Sequence, residues 1–186
     1  MSDFTAIAAV TGTLRRLLES EMAGITIEDD ISPANAEPTL PTVALFLYRV
    51  ETNAFTANLD WVVRSATQLQ AAPFGLNLHY LVTPYGPGQI EIQRTLGEVM
   101  RVFHDRAVLR AGDPALLPPL AAMTEELRIV PRTLSLSDSM ELWKSFHERS
   151  YRLSLTYEVS AVLIDSTITR NVERVQERVL DLAPLR

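Results

Sequence analysis

Apolar residues recur along this chain with two periods. Between residues 4 and 22 they fall at Ile7, Val10, Leu14, Leu17 and Leu18, three and four apart, on one stripe of an α-helix. Ser2 or Asp3 can cap its free N–H groups, and Gly24 suits its end. A short strand is expected at Ile25-Thr26-Ile27. Residues 28–41 hold three prolines and four acids and read as a surface loop. The run TVALFLYRV, 42–50, is apolar on both alternating faces, the pattern of a strand covered on both sides. Residues 51–73 carry no clear period and read as a long connection, with a short strand around Trp61-Val62-Val63. Alternation returns at 74–83: Phe74, Leu76, Leu78, Tyr80 and Val82 point one way, and Gly75, Asn77, His79 and Thr83 the other.

The turn Tyr85-Gly86-Pro87-Gly88 then leads into a helical stripe of Ile92, Leu96, Val99, Met100 and Phe103. Gly97 lies inside that helix, where glycine costs about 1 kcal/mol relative to alanine; close packing against a neighbour is the expected reason. Residues 112–119, GDPALLPP, break the chain. The stretch 126–134 reads as a strand, with Pro131 at an edge or a bulge because proline donates nothing to a ladder. Asp138 followed by Glu141 resembles a capping box, with Met140, Trp143 and Phe146 or His147 on a buried helical face. Residues 151–164 form the longest alternating run: Tyr151, Leu153, Leu155, Tyr157, Val159, Ala161 and Leu163 on one face. At about 3.3 Å per residue it would exceed roughly 40 Å, so it must bend or leave the domain. The tail places Ile168, Val172, Val175, Val179 and Leu182 at a helical period.

Composition narrows the chemistry. The 186 residues are 47% hydrophobic and 22% charged, enough for one domain with a sizeable core. A net charge of −6 disfavours a nucleic-acid-binding role, which needs a basic face. The absence of cysteine removes disulfides, thiolate metal sites and cysteine nucleophiles. The N-terminus does not read as a signal peptide, and no apolar run reaches the roughly 20 residues of a membrane span. Synthesis in the cytoplasm, without membrane insertion, is the expectation.

The strand–turn–helix at Tyr85–Gly88 raises the question of a phosphate site. Pro84 and Pro87 remove two N–H donors, no lysine follows, and neither the P-loop nor the dinucleotide spacing is met. His79, His104 and His147 are far apart, without ligands at metal-site spacing. Their expected roles are structural: His79 bonded to a neighbour in the sheet, His104 near a helix C-terminus. Glu28-Asp29-Asp30 lacks the spacing of a calcium loop, and Trp61 and Trp143 read as core or interface anchors. From residues alone the chain is a soluble globular α/β domain with no evident catalytic, metal or cofactor site.

Four segments carry a family resemblance. They are LFLYRVETNAFTANLDW, APFGLNLHYLVTPYGPGQIEIQRTLGEVMRVFHD, LRIVPRTLSLSDSMELWKSF and YRLSLTYEVSAVLIDS, in that order. Over residues 4–166 the chain resembles the DUF4255 family, a Pvc16-like N-terminal domain typical of the cap, or tail terminator, of contractile injection systems. The resemblance implies an α+β fold of the phage tail-terminator kind, a mixed, mostly antiparallel sheet with helices packed on it. It implies a cap domain over 1–165 and an arm over 166–186 that reaches a neighbouring subunit or the sheath. It also implies a structural, non-enzymatic role without cofactor or metal. A ring, expected to be a homohexamer, would end the inner tube and sheath, fix their length and stabilise the particle. The partners are then further copies of the chain and the sheath and tube proteins. Assembly would take place in the cytoplasm, on a particle open to release outside the cell. Ile168, Val172, Val175 and Val179 are the candidate contact residues. Another component of the same particle, such as a baseplate or tube adaptor, remains an alternative. So does a small-molecule-binding enzyme using the cleft beside Tyr85–Gly88.

Overall fold

The computed structural model describes residues 4–30, 40–56, 59–122, 125–146 and 150–173. Helix α1 (Ala6–Glu21) leads into β1 (Thr26–Glu28), with Gly24 turning the chain between them at a φ of 74°. Strand β2 (Thr42–Thr52) follows, then a hairpin of β3 (Val62–Ser65) and β4 (Gln68–Gln70). Strand β5 (Phe74–Tyr85) runs into helix α2 (Gln89–Asp105). Strands β6 (Val108–Leu109) and β7 (Leu127–Arg132), helix α3 (Leu136–Ser145), strand β8 (Leu155–Ile164) and strand β9 (Thr169–Asn171) complete the order.

Six strands form one sheet in the order β1-β2-β5-β8-β7-β6, and β3, β4 and β9 form a second, smaller one. Only the β1–β2 pair is parallel. The architecture is thus α+β with a mostly antiparallel sheet, as expected. Helices α1 and α2 cover one face. Leu14, Leu17 and Leu18 of α1 and Val99, Val102 and Phe103 of α2 pack with Leu78, Tyr80 and Val82 of β5 and Tyr157 and Val159 of β8. Phe103 meets Tyr157 edge to face at 4.9 Å between ring centroids, a geometry that aromatic quadrupoles favour. Tyr80 is fully buried, and its hydroxyl lies 2.9 Å from that of Thr11 on α1. Burial pushes the Tyr80 phenol pKa well up, against the lesser pull of that hydrogen bond. On the opposite face, α3 sets Trp143 against Leu81, with Phe46, Tyr48, Leu142 and Phe146 around them.

Two bulges decide which side chains reach the core. In β8, Leu76↔Val162 and Leu78↔Val159 are partners, so β8 carries one extra residue over that interval, and Ala161 takes a φ of 65°. The single alternation expected from Tyr151 to Leu163 therefore breaks. Tyr157 and Val159 face α1 and α2, but after the bulge it is Val162 that is fully buried, and Ile164 packs with that core. The strand also begins at Leu155 rather than Tyr151, so its length is ordinary. In β2 the extra residue is Tyr48, between Leu47↔Tyr80 and Arg49↔His79.

Other expectations are corrected locally. A Cβ on Gly97 would meet nothing within 4 Å, so no neighbour explains that glycine. Met100 and Met140, expected on buried faces, are exposed, because α2 and α3 bury narrower stripes than their apolar content suggests. The cap of α3 is Ser135, whose hydroxyl accepts from the Asp138 N–H at 3.1 Å, so the capping residue lies three positions before the one expected. Helix α1 is flanked by Thr5, which makes no side-chain cap bond; Ser2 and Asp3 lie outside the described residues, as do most of the 28–41 loop and His147. The patternless stretch 51–73 holds two strands instead of one. Pro131 lies where expected: β7 is paired with β8 on one side, and beyond Arg128 it has no strand on the other among the described residues.

Gly75 is required by a close approach. A Cβ there would lie 2.1 Å from Thr56 Oγ1 and 2.8 Å from Thr56 Cβ, and that hydroxyl already donates to the Asn53 carbonyl. Gly75→Ala is expected to cost about 1–3 kcal/mol through overpacking, with a Tm lower by several degrees in thermal unfolding. Adding Thr56→Gly should recover part of the loss.

Candidate assembly surface

The ends of three strands meet at one end of the main sheet. Thr52 of β2 pairs with Leu76 of β5, and Phe74 of β5 pairs with Ile164 of β8. Residues 53–73 and 165–173 leave from that end and together build the small sheet, in the order β3-β4-β9. The segment before it is anchored: the Asn53 N–H donates to the Gly75 carbonyl at 2.8 Å, and its side-chain amide to Asn77 Oδ1 at 3.0 Å.

This end of the molecule exposes apolar side chains in a group. Phe55 is 95% and Val63 71% exposed, and Val50, Leu59, Trp61, Val62, Phe74 and Ile168 are exposed as well. Scattered exposed apolar residues are ordinary; a contiguous set marks an interaction surface. All four residues of β3 and all three of β9 are exposed. These are the outer strands of their sheet, so each presents a main-chain edge without a strand partner among the described residues. Such edges template the addition of another strand.

The main-sheet face that α3 leaves open is polar. His79 Nε2 lies 3.0 Å from Glu51 Oε2, the neighbour contact expected for that histidine. Glu51 also pairs with Arg49. Arg132 reaches the buried Glu158 with Nε and a terminal nitrogen, each 2.7 Å from Oε2. A buried carboxylate needs such charge-assisted bonds.

The Tyr85–Gly88 turn is a joint. Gly88 adopts a φ of 142°, and its N–H donates to the Gly86 carbonyl at 2.8 Å. That donor is thus occupied, and Pro84 and Pro87 have none. The Arg152 guanidinium sits 4.9 Å from the centre of the Tyr85 ring, tying the start of β8 to this joint by a cation–π contact. Among the described residues no three His, Asp or Glu side chains gather as a metal ion would require. No helix among them is long and apolar enough to cross a membrane.

The structure brings two of the four candidate contact residues to the small sheet. Ile168 is exposed, and its carbonyl accepts from the Ala71 N–H at 2.9 Å. The Val172 N–H donates to the Thr67 carbonyl at 2.9 Å. Between them lies β9, antiparallel to β4, so the helical period expected from Ile168 begins as a strand. Val175 and Val179 lie outside the described residues. Phe55, Val63, Arg64 and Arg170 were not found by sequence reasoning. The available signal was the high proportion of β-branched and aromatic residues around Trp61–Val63.

Residues 9–178 match the family described as the Pvc16 N-terminal domain. The chain belongs to that family. Its fold resembles the sheath/tube terminator of PVC, an extracellular contractile injection system, in the extended state. There the TM-score is 0.70 at 20% identity, over 100% of this chain and 67% of the other. It also resembles the tube-terminating cap of the anti-feeding prophage, with a TM-score of 0.67 at 16% identity, over 98% and 62%. The chain thus spans about two thirds of each. No curated protein matches the sequence. As a Pvc16 N-terminal domain, the chain carries its most distinctive sequence runs in the middle of the sheet. LNLHYLVTPYG is β5 with its joint, and YRLSLTYEV with VLIDS is β8 with its bulge. Those runs specify the scaffold, and the exposed small sheet lies outside them.

Arg132→Ala would leave Glu158 buried without its cation. The expected loss is about 1–3 kcal/mol, seen as a lower urea midpoint with unchanged slope.

Proposed function

We propose that this chain is the structural terminator cap of a contractile injection particle, forming a ring on the end of the inner tube and sheath. The observation that carries the reading is the fold match over the whole chain to two tube-terminating proteins, beside the chain's own match to the Pvc16 N-terminal domain. In this reading the ring is a homohexamer, and its role is structural rather than catalytic. It halts further polymerisation, sets length and stabilises the particle, with the sheath and tube proteins as partners. The ring assembles in the cytoplasm and travels with the particle.

The surface chemistry supports an assembly role. A ring closes when a head-to-tail contact repeats through a rotation that returns to its start, so each subunit needs two different complementary surfaces. The exposed small sheet is one such surface. The segment from residue 166 acts as an arm toward a neighbouring subunit or the sheath, with Ile168, Val172, Val175 and Val179 as its contact residues.

Deleting the gene from a strain that makes the particles should give tubes or sheaths of irregular length, or particles that fall apart on purification. Electron microscopy of negatively stained preparations measures this. Particles of normal length and stability without the chain would sink the reading.

A further inference from the structure

The main sheet has two edges that differ in chemistry. On the β7 side, β6 covers Leu127 and Arg128, and Pro131 interrupts the remainder with a residue that has no N–H. On the β2 side, β1 pairs only with Thr42–Ala44. From Leu45 onward the outer edge of β2 has no strand partner among the described residues, and the straight stretch before the bulge at Tyr48 is Leu45–Leu47. A groove of about 390 Å³ runs beside it, lined by Ala8, Thr11, Gly12 and Arg15 of α1, by Asp29, and by Phe46 and Leu47 of β2.

We infer that this groove and open edge receive the β3 edge of the small sheet from a second copy of the chain, with Val63 seated between α1 and β2. This deepens the ring reading and rests on it. Length is one argument: β3 has four residues, close to the three-residue open stretch. Its outer edge has no strand partner among the described residues, its side chains are exposed, and Val63 offers an apolar group to a groove lined in part by Ala8, Phe46 and Leu47.

Charge supplies the second argument. Arg64 and Arg170 form no ion pair among the described residues; Arg64 bonds only the neutral side chain of Gln70. In the groove lining, Asp29 is likewise in no ion pair among the described residues, although it is near enough to Arg15 to help raise its pKa, after the larger effect of Glu19. A cationic, exposed strand edge and a groove holding an unpaired Asp29 beside the already paired Arg15 thus lie at different places on one chain. Such a pair makes a head-to-tail contact, with main-chain bonds supplying affinity and charges supplying register and orientation.

The absence of cysteine allows a direct test on the full chain. With Ala8→Cys and Val63→Cys together, mild oxidation should give a ladder of covalent multimers on a non-reducing gel, and each single variant should give none. Arg64→Glu with Arg170→Glu should weaken assembly, measured by light scattering, by about tenfold or more; adding Asp29→Arg should restore part of it, which a folding defect would not allow. A double-cysteine variant that assembles but yields no ladder overturns the contact. A native chain that is monomeric at every concentration does so too. An arm whose variants alter tube length without any copy-to-copy cross-link docks on tube or sheath instead, and also overturns it. Tube length in the deletion strain judges the terminator reading separately.

Discussion

The pairing of β5 with β8 through the centre of the sheet is the constraint on which the rest depends. Both strands are covered on two sides, by α1 and α2 on one and by α3 on the other. Most residues of β5 and the first half of β8 are therefore buried, and a slip of one residue would exchange the faces. The bulge at Ser160–Ala161 makes such an exchange once, on purpose. Holding Ala161 at positive φ costs about 1–2 kcal/mol. Returning Val162 to the core offsets this, since burying such a side chain is worth about 1.5–3 kcal/mol. The outcome is a strand whose two halves serve one core although their sequence parities differ.

That bend also governs what the far end of the sheet can present. Ile164 and Phe74 stay paired after it, so the chain leaves both strands at the same place and builds β3, β4 and β9 there. A small sheet with exposed faces gains little from its own burial and draws its order from its anchors. These are Asn53 bonded to Gly75 and Asn77, and the backbone links from Ile168 to Ala71 and from Val172 to Thr67. The scaffold buries its apolar groups, and its projection carries exposed ones. That division suits a subunit that completes part of its burial by meeting another molecule.

The two edges of the main sheet are treated differently. Pro131 on β7 removes a donor at the outer edge, a common device against unwanted strand addition. The β2 edge has no such residue along Leu45–Leu47. Among the described residues the sheet thus lacks a strand partner along part of one edge and carries a proline on the other, an asymmetry that a directional contact requires.

Local pattern determined much of the fold. The α1 stripe, the β2, β5 and β7 strands, the α2 helix and the edge position of Pro131 follow from side-chain period and from what proline lacks, which are properties of a few neighbouring residues. The family resemblance rested on the same runs, because β5 and β8 are where packing leaves the sequence least freedom. Tertiary structure alone decided the rest. The parity of β8 depends on a bulge that no local signal marks. The exposure of Met100 and Met140 depends on how much of each helix a neighbour happens to cover. The small sheet in residues 51–73 stayed hidden because it has no buried face to impose a period, and the start of the tail reads as a helix until β4 offers it an edge. An interaction surface is by nature unburied within its own chain, so the alternation that reveals a core is absent there.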